Sequence, residues 1–385
     1  MKISHLKKLF FSLLLISLTL VTVLSAQSND RFFDSVNTTS NKLRITALHP
    51  SIGTIKSIIE LKKQDLLPSK DVIFVGVYHE KELTDYKKSK EFVKKNHLEW
   101  FKFHRLRCKL KKDTLFKKNS CTPEFKKIFE KSDGIIFFGG ADIPPNIYRE
   151  KTNLLTQIYT PYRSYVELSL IFHLLGGFQD TTFHAFLETN SEFPVLGICL
   201  GCQSINVGTS GTLIQDIWSE IYGKKYLEDV LKLNPNNWHS NPFSRLYPGE
   251  KLISYTLHQI KLKEDGKFCS VFGFKKEDTP YVLSSHHQMV KKLGKGIKII
   301  ATSTDGKVVE AIEHKCFPNV LGVQFHPESP YIWDSDIKVR RTPGDKEKRS
   351  LRSTLEKDPT SFEFNKKIWK WFTRELQKYH NNTKK

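Results

Sequence analysis

The sequence predicts an α/β fold, a doubly wound and mostly parallel sheet flanked by helices with an additional β-rich portion, and three patterns predict it. Apolar runs at 72–77, 134–138 and 195–198 are nearly continuous, as in strands covered on both faces. Between such runs lie segments with apolar residues at helical spacing, so strands and helices alternate. From residue 251 onward, several β-type runs follow one another.

In chain order, 43–48 reads as the first strand and 52–63 as a helix carrying Ile52, Ile55, Ile58 and Ile59 at helical spacing. A strand at 72–77, a helix at 87–96 and a strand at 100–106 follow. The helix at 123–131 opens on Pro123, where a missing N–H costs nothing, and leads into the strand 134–138, which ends on Gly139-Gly140. Residues 162–175 form a long amphipathic helix, and 195–199 the next strand. The stretch 220–260 is rich in Asn, Pro and His and reads mainly as loops. The β-type runs fall at 251–257, 281–284, 297–302, 308–313 and 320–325. A charged, Pro- and Gly-punctuated insertion at 335–360 precedes a last helix, 361–379, with Phe364, Ile368, Trp371, Phe372 and Leu376 on one face. One domain over 43–380 accounts for the pattern. Ligands of such sheets bind beyond the carboxyl ends of the strands, where Gly139, Gly140 and Cys199 fall.

Residues 1–26 carry Lys2, Lys7 and Lys8, an apolar run to Leu24 and then Ser25-Ala26, the layout of a secretory signal peptide. Export to a periplasm, cell envelope or extracellular space is therefore expected, with a polar, disordered linker over 27–42. No later run is long enough to span a membrane. Six cysteines in an exported chain allow disulfides; Cys108–Cys121 and Cys269–Cys316 are the first pairings to consider. Lys and Arg number 61 against 41 Asp and Glu, a net charge of +20. The lysines are diluted along exposed faces and not focused in one motif, so nucleic acid is not the expected partner; a positive face suits anionic substrates. Whether the chain forms a homodimer stays open.

The chemistry concentrates at two places. Gly197-Ile198-Cys199-Leu200-Gly201 follows an apolar strand and has the form of a nucleophile elbow, a sharp strand-to-helix turn. Cys199 would stand at a helix N-terminus, whose dipole favours the thiolate. Downstream, Gln324-Phe325-His326-Pro327-Glu328 supplies an imidazole and, two residues on along an extended chain, a carboxylate on the same side. Cys199 and Cys202 also form a Cys-x-x-Cys motif, but the flanking pattern is not that of a thioredoxin-like fold, and Cys202 reads as a core residue one turn past the elbow. No set of His, Cys and carboxylate residues shows a recognisable metal-ligand spacing, and no cofactor or metal is expected.

Residues 133–333 resemble the class I glutamine amidotransferase-like superfamily, and within it the γ-glutamyl hydrolases and γ-glutamyl-γ-aminobutyrate hydrolases. Four blocks carry the resemblance: 133–145 with Gly139-Gly140-Ala141-Asp142, 196–216 with Cys199, Gln203, Asn206 and Gln215-Asp216, Ser284-Ser285-His286-His287-Gln288, and 321–328. Leu200 and Arg163-Ser164 stand where the γ-aminobutyrate group has Arg and Arg-Asp. Residues 317–333, ending in Tyr331-Ile332-Trp333, instead look like the secreted folate-type γ-glutamyl hydrolases. The resemblance implies a flavodoxin-like sheet and a Cys199, His326 and Glu328 triad cleaving a γ-glutamyl amide of a small amine or peptide through a thioester. The N–H of Leu200 and one from Gly139 or Gly140 would hold the oxyanion. Asp142, Gln203, Ser285, His286, His287 and Gln288 would line the substrate side. A glutaminase subunit feeding a synthase and a binding protein on the same fold are the other classes such a chain could represent.

Overall fold

Residues 30–35 and 42–383 are described by a computed structural model. Six strands run in parallel: β1 (Leu43–Leu48), β2 (Val72–His79), β3 (Phe101–Leu106), β4 (Gly134–Phe137), β5 (Val195–Ile198) and, far downstream, a strand at Val320–Val323. Four antiparallel strands extend the same sheet: β6 (Thr256–Leu262), β7 (Tyr281–Ser284), β8 (Ile297–Ser303) and β9 (Val309–His314). With the strand Val320–Val323 as β10, the order is β3-β2-β1-β4-β5-β10-β9-β8-β6-β7.

Helices α1 (Ile52–Lys63), α2 (Tyr86–Lys95), α3 (Thr122–Lys131), α4 (Pro161–Leu175), α5 (Leu200–Gly208) and α6 (Pro359–Thr383) flank the sheet. Because successive strand residues point to opposite faces, Phe74 and Ile136 enter one core with α1 and α6, while Val75 and Ile135 enter the other with α3, α4 and α5. The expected stripe on the last helix is real: Phe364, Ile368, Phe372 and Leu376 are fully buried, and Trp371 nearly so. Truncating one of these phenylalanines to Ala would cost about 3–5 kcal/mol. Among the described residues no helix is long and apolar enough to cross a membrane.

The expected elements hold with changes at their ends, and three expectations are corrected. The strand expected at 251–257 lies instead at Thr256–Leu262. Residues before it are held by other partners: the Ile253 N–H donates to the Arg340 carbonyl, and Asn241 bonds the carbonyls of Ile253 and Ser254. The signal segment 1–26 and most of the linker 27–42 lie outside the described residues, but Asp30–Ser35 is ordered, contrary to a disordered linker. Phe33 is fully buried, Asp30 accepts from Tyr78 and Lys90, and Arg31 pairs with Asp34 and Glu124. One apolar ring and three charges dock a stretch whose composition is otherwise polar. Finally, Cys108 and Cys121 form a disulfide, their Cα atoms 5.1 Å apart, within the bridging range, whereas Cys269 and Cys316 remain free thiols. Cys269 packs against the aromatic core beside Phe268, and Cys316 is exposed in the turn that leaves β9.

Candidate active site

The turn between β5 and α5 is strained where the nucleophile would need it. Cys199 adopts φ 52° and ψ −104°, a conformation that costs a non-glycine residue about 1–3 kcal/mol. Its N–H donates to the Val323 carbonyl at 2.8 Å, so the neighbouring strand β10 holds the turn. The two flanking glycines are required by contact: a Cβ on Gly197 would lie 2.6 Å from the Gly201 carbonyl, and one on Gly201 would collide with the Phe137 carbonyl. Cys199 thus precedes the first turn of α5, where unpaired N–H groups and the helix dipole favour an anion. The Leu200 N–H is the first of these.

At the end of β10 the chain carries His326 to the same point. Its Nδ1 is 2.8 Å from Glu328 Oε1, which fixes the ring so that Nε2 is left for other work. The segment between them is clamped from three directions. The His326 N–H donates to the Leu283 carbonyl at 2.7 Å, and the indoles of Trp333 and Trp369 both donate to the Pro327 carbonyl at 2.8 Å. Tyr255 meets the imidazole edge-on, ring centroids 5.2 Å apart. Burial pulls the His326 pKa down, but Glu328, ahead of Tyr255 and Cys199, outweighs it and holds the imidazolium well above its usual range. A Cβ placed on Gly139 would lie 3.0 Å from His326 Cε1 and 3.4 Å from Cys199 Cβ. Gly139, thiol and imidazole therefore converge, and only a residue without a side chain fits between them.

Arg163 organises the glycine loop. Its guanidinium donates to the carbonyls of Phe138 and Gly139 at 3.0 and 2.9 Å and occupies the space a Gly140 side chain would need. Behind it lies a buried network in which His49 bonds Glu82 at 2.8 Å and lies 3.5 Å from Glu167, itself 3.7 Å from Arg163. Neither Tyr255 nor this support of the loop is evident in the sequence. Arg163 is visible there only as a departure from a family pattern, and Tyr255 lies in a stretch that reads as a plain strand.

A cleft of about 710 Å³ opens over the site, lined by Gly139, Gly140, Cys199, Tyr255, Ser285, His326 and the N-terminal turn of α1 with Lys56. A second, smaller pocket of about 150 Å³ also touches Ser285 and is bordered by His287 and Arg245. Of the residues expected on the substrate side, Ser285 lines both. Gln203 and Gln288 are corrected, and His286 borders the smaller pocket. Gln203 is buried against the Gln288 carbonyl and Gln324, and Gln288 is buried with its amide on the Gln215 carbonyl. The His286 ring turns inward, 3.7 Å from Glu310. Gln203 so joins α5 to the loop after β7, and Gln288 ties that loop to Gln215. His287 and Asp216 border the smaller pocket; His287 pairs with Asp142 at 3.1 Å and with Asp216 on its other ring nitrogen at 3.3 Å. Burial lowers the His287 pKa, but the bonds to Asp142 and Asp216 raise it to about 9. Cys202 is sealed in the core, where burial first and then Cys199 and Glu310 push its thiol well above the ordinary range. A redox pair with Cys199 has no support in that environment.

The comparisons with known proteins bear on the same stretch of chain. The glutamine amidotransferase-like protein YvdE of Lactococcus lactis is 32% identical over 216 residues, 56% of this chain and 73% of that protein. The glutamine amidotransferase-like protein RP404 of Rickettsia prowazekii is 29% identical over 232 residues, 56% and 76% of the two chains. A solved glutamine amidotransferase of Thermotoga maritima is similar at 13% identity with a TM-score of 0.35, covering 88% of this chain and 97% of that one. The Peptidase C26 family model matches residues 114–328, a span that runs from the approach to α3 through the glycine loop and the elbow to Glu328. By that match this chain belongs to the Peptidase C26 family, a hydrolase built on the class I glutamine amidotransferase-like fold.

Proposed function

We propose that this chain hydrolyses γ-glutamyl amide bonds, with Cys199, His326 and Glu328 as its triad. The observation that carries the proposal is the strained Cys199 turn converging with the Glu328-oriented His326 ring on side-chain-free Gly139. Cys199 Sγ attacks the γ-carbonyl carbon, and the negative oxygen is met by the Leu200 N–H and an N–H of the Gly139-Gly140 loop. His326 gives its proton to the leaving amine as the C–N bond breaks, which leaves a thioester. The same imidazole then takes a proton from water, the hydroxide displaces the thiolate, and glutamate leaves. The disulfide Cys108–Cys121 supports an exported protein, since such bonds persist in oxidising compartments.

A second reading within this chemistry concerns the leaving group. Lys56 and the N-terminal turn of α1 line a cleft too roomy for a small amine alone, which favours an extended anionic γ-glutamyl chain of the folate-polyglutamate type. The test is turnover of γ-glutamyl-γ-aminobutyrate, γ-glutamyl dipeptides, a folate diglutamate and free glutamine by one enzyme preparation, followed by mass spectrometry. Release of glutamate from the γ-glutamyl compounds, with an acyl adduct on Cys199, is expected. Activity confined to glutamine and stimulated by a synthase partner would overturn the hydrolase reading in favour of a glutaminase subunit.

A further inference from the structure

We propose that His239, His258, His286 and Glu310 form a structural site for a divalent transition-metal ion of the zinc class. The four residues come from four places: the loop before residue 240, β6, the loop after β7, and β9. One potential ligand atom from each lies within 4.8 Å of all the others, and all four residues are buried, three of them completely. Glu310 Oε1 is 3.0 Å from His239 Nδ1 and 3.8 Å from His258 Nε2, and its Oε2 is 3.7 Å from His286 Nε2. Ligand bonds of about 2.0–2.2 Å in a tetrahedron put neighbouring ligand atoms about 3.3–3.6 Å apart, in the middle of that spread.

The tautomers point the same way. His258 Nδ1 lies 3.2 Å from the Gln259 carbonyl and His286 Nδ1 3.1 Å from the Gln288 carbonyl, contacts only an N–H can satisfy. His239 Nε2 faces the Tyr222 hydroxyl at 3.5 Å, and that hydroxyl donates onward to Asp305 at 3.1 Å. Each ring therefore spends its N–H outward and turns a lone pair inward, as metal-bound histidines do. The inward atoms have no hydrogen-bond partner at His239 Nδ1, His286 Nε2 and both oxygens of Glu310; His258 Nε2 has the Ser284 hydroxyl at 2.8 Å. Lone pairs facing a buried carboxylate repel it, and an uncompensated buried charge is costly. A cation bound between the four groups satisfies all of them. Three imidazoles and one carboxylate suit zinc, and a closed four-ligand set with no open coordination position is the structural type.

The other such group among the described residues, Asp34, His104 and Glu124, already has its cations in Arg31 and Lys127 and is not proposed as a site. The buried site would tie the loop carrying His239 and the loop carrying Ser285 to β6 and β9.

The test uses the full chain, produced with zinc and dialysed without chelator. Elemental analysis should find close to one zinc per chain, cobalt exchanged into the protein should give the intense visible absorption of a tetrahedral site, and a strong chelator should lower Tm by several degrees, restored by zinc. Glu310→Gln and His258→Gln should lose the metal, while Cys199→Ala keeps it. Should those variants fail to fold, the wild-type metal content and chelator response decide. Less than a tenth of an equivalent of metal in folded wild-type protein, with Tm indifferent to zinc and chelator, would overturn the proposal, as would full zinc retention in folded Glu310→Gln.

Discussion

In the parallel half of the sheet, Cys199 and His326 follow the carboxyl ends of the adjacent strands β5 and β10 and face a cleft; in the antiparallel half, His239, His258, His286 and Glu310 face one another in a sealed interior. Both groups are ringed by hydrogen bonds that fix imidazole tautomers. In the first, the fixed ring leaves a nitrogen free beside a thiol, and the backbone around it is strained and clamped. In the second, the inward nitrogens of His239 and His286 face the Glu310 carboxylate, and that of His258 also meets the Ser284 hydroxyl. Convergence of polar groups alone therefore does not mark a reaction centre: access to solvent and a nucleophile separate one from the other.

Substitutions can break or sharpen that contrast. The largest effect is expected from Cys199→Ala, which should lower kcat by about ten-thousand-fold or more with unchanged Tm, while Cys202→Ala keeps most activity; equal loss in both, measured as glutamate release, would count against the elbow. Next comes Arg163→Ala. Freed from its guanidinium, the Gly139 carbonyl can rotate and misplace the loop's N–H groups, so kcat should fall about 100-fold with KM little changed; a loss confined to KM would make Arg163 a substrate contact instead.

Cys108→Ser should leave kcat alone and cost stability, about 3 kcal/mol for a loop of this length, read as a lower midpoint in denaturant under oxidising conditions. The smallest effect concerns His49. Burial lowers its pKa, but Glu82, opposed by Arg163 and aided by Glu167, brings it above the ordinary value of 6.5. A raised folded-state pKa gives stability that is fully present below about pH 6.5 and is lost as pH rises through the folded value. The Tm advantage of wild type over His49→Gln should therefore be greatest near pH 6 and shrink toward alkaline pH; an advantage that grows with pH would mean the ring is neutral in the fold.

The two regions also differ in how far the sequence discloses them. The elbow is legible because its parts are local: an apolar strand, a glycine, a cysteine and a glycine within one turn, and an imidazole and carboxylate two residues apart. The parallel strands are legible for a related reason, since burial on both faces writes them as apolar runs. His239, His258 and Glu310 look like isolated polar residues in a loop or strand, His286 reads as part of the Ser284–Gln288 block, and no spacing in the sequence links the four. The shifted strand Thr256–Leu262 shows the same limit, because the partners that hold Ile253 and Ser254 out of the sheet lie at Arg340 and Asn241. Arg163 matters through carbonyls it reaches from a different helix, which no periodicity records.

On the proposed mechanism, the sealed position of Cys202 also bears on how the nucleophile would age. A nucleophilic thiol that meets peroxide becomes a sulfenic acid, which a nearby thiolate can capture as a disulfide and so protect. Cys202 is one helical turn away but is held as the neutral thiol, the form that reacts poorly. Oxidation at Cys199 would then have no internal rescue and would proceed to the irreversible sulfinic acid unless an outside reductant intervened. Intact-mass measurements after peroxide exposure should show gains of oxygen at Cys199, without the loss of two hydrogens that a Cys199–Cys202 bond would produce.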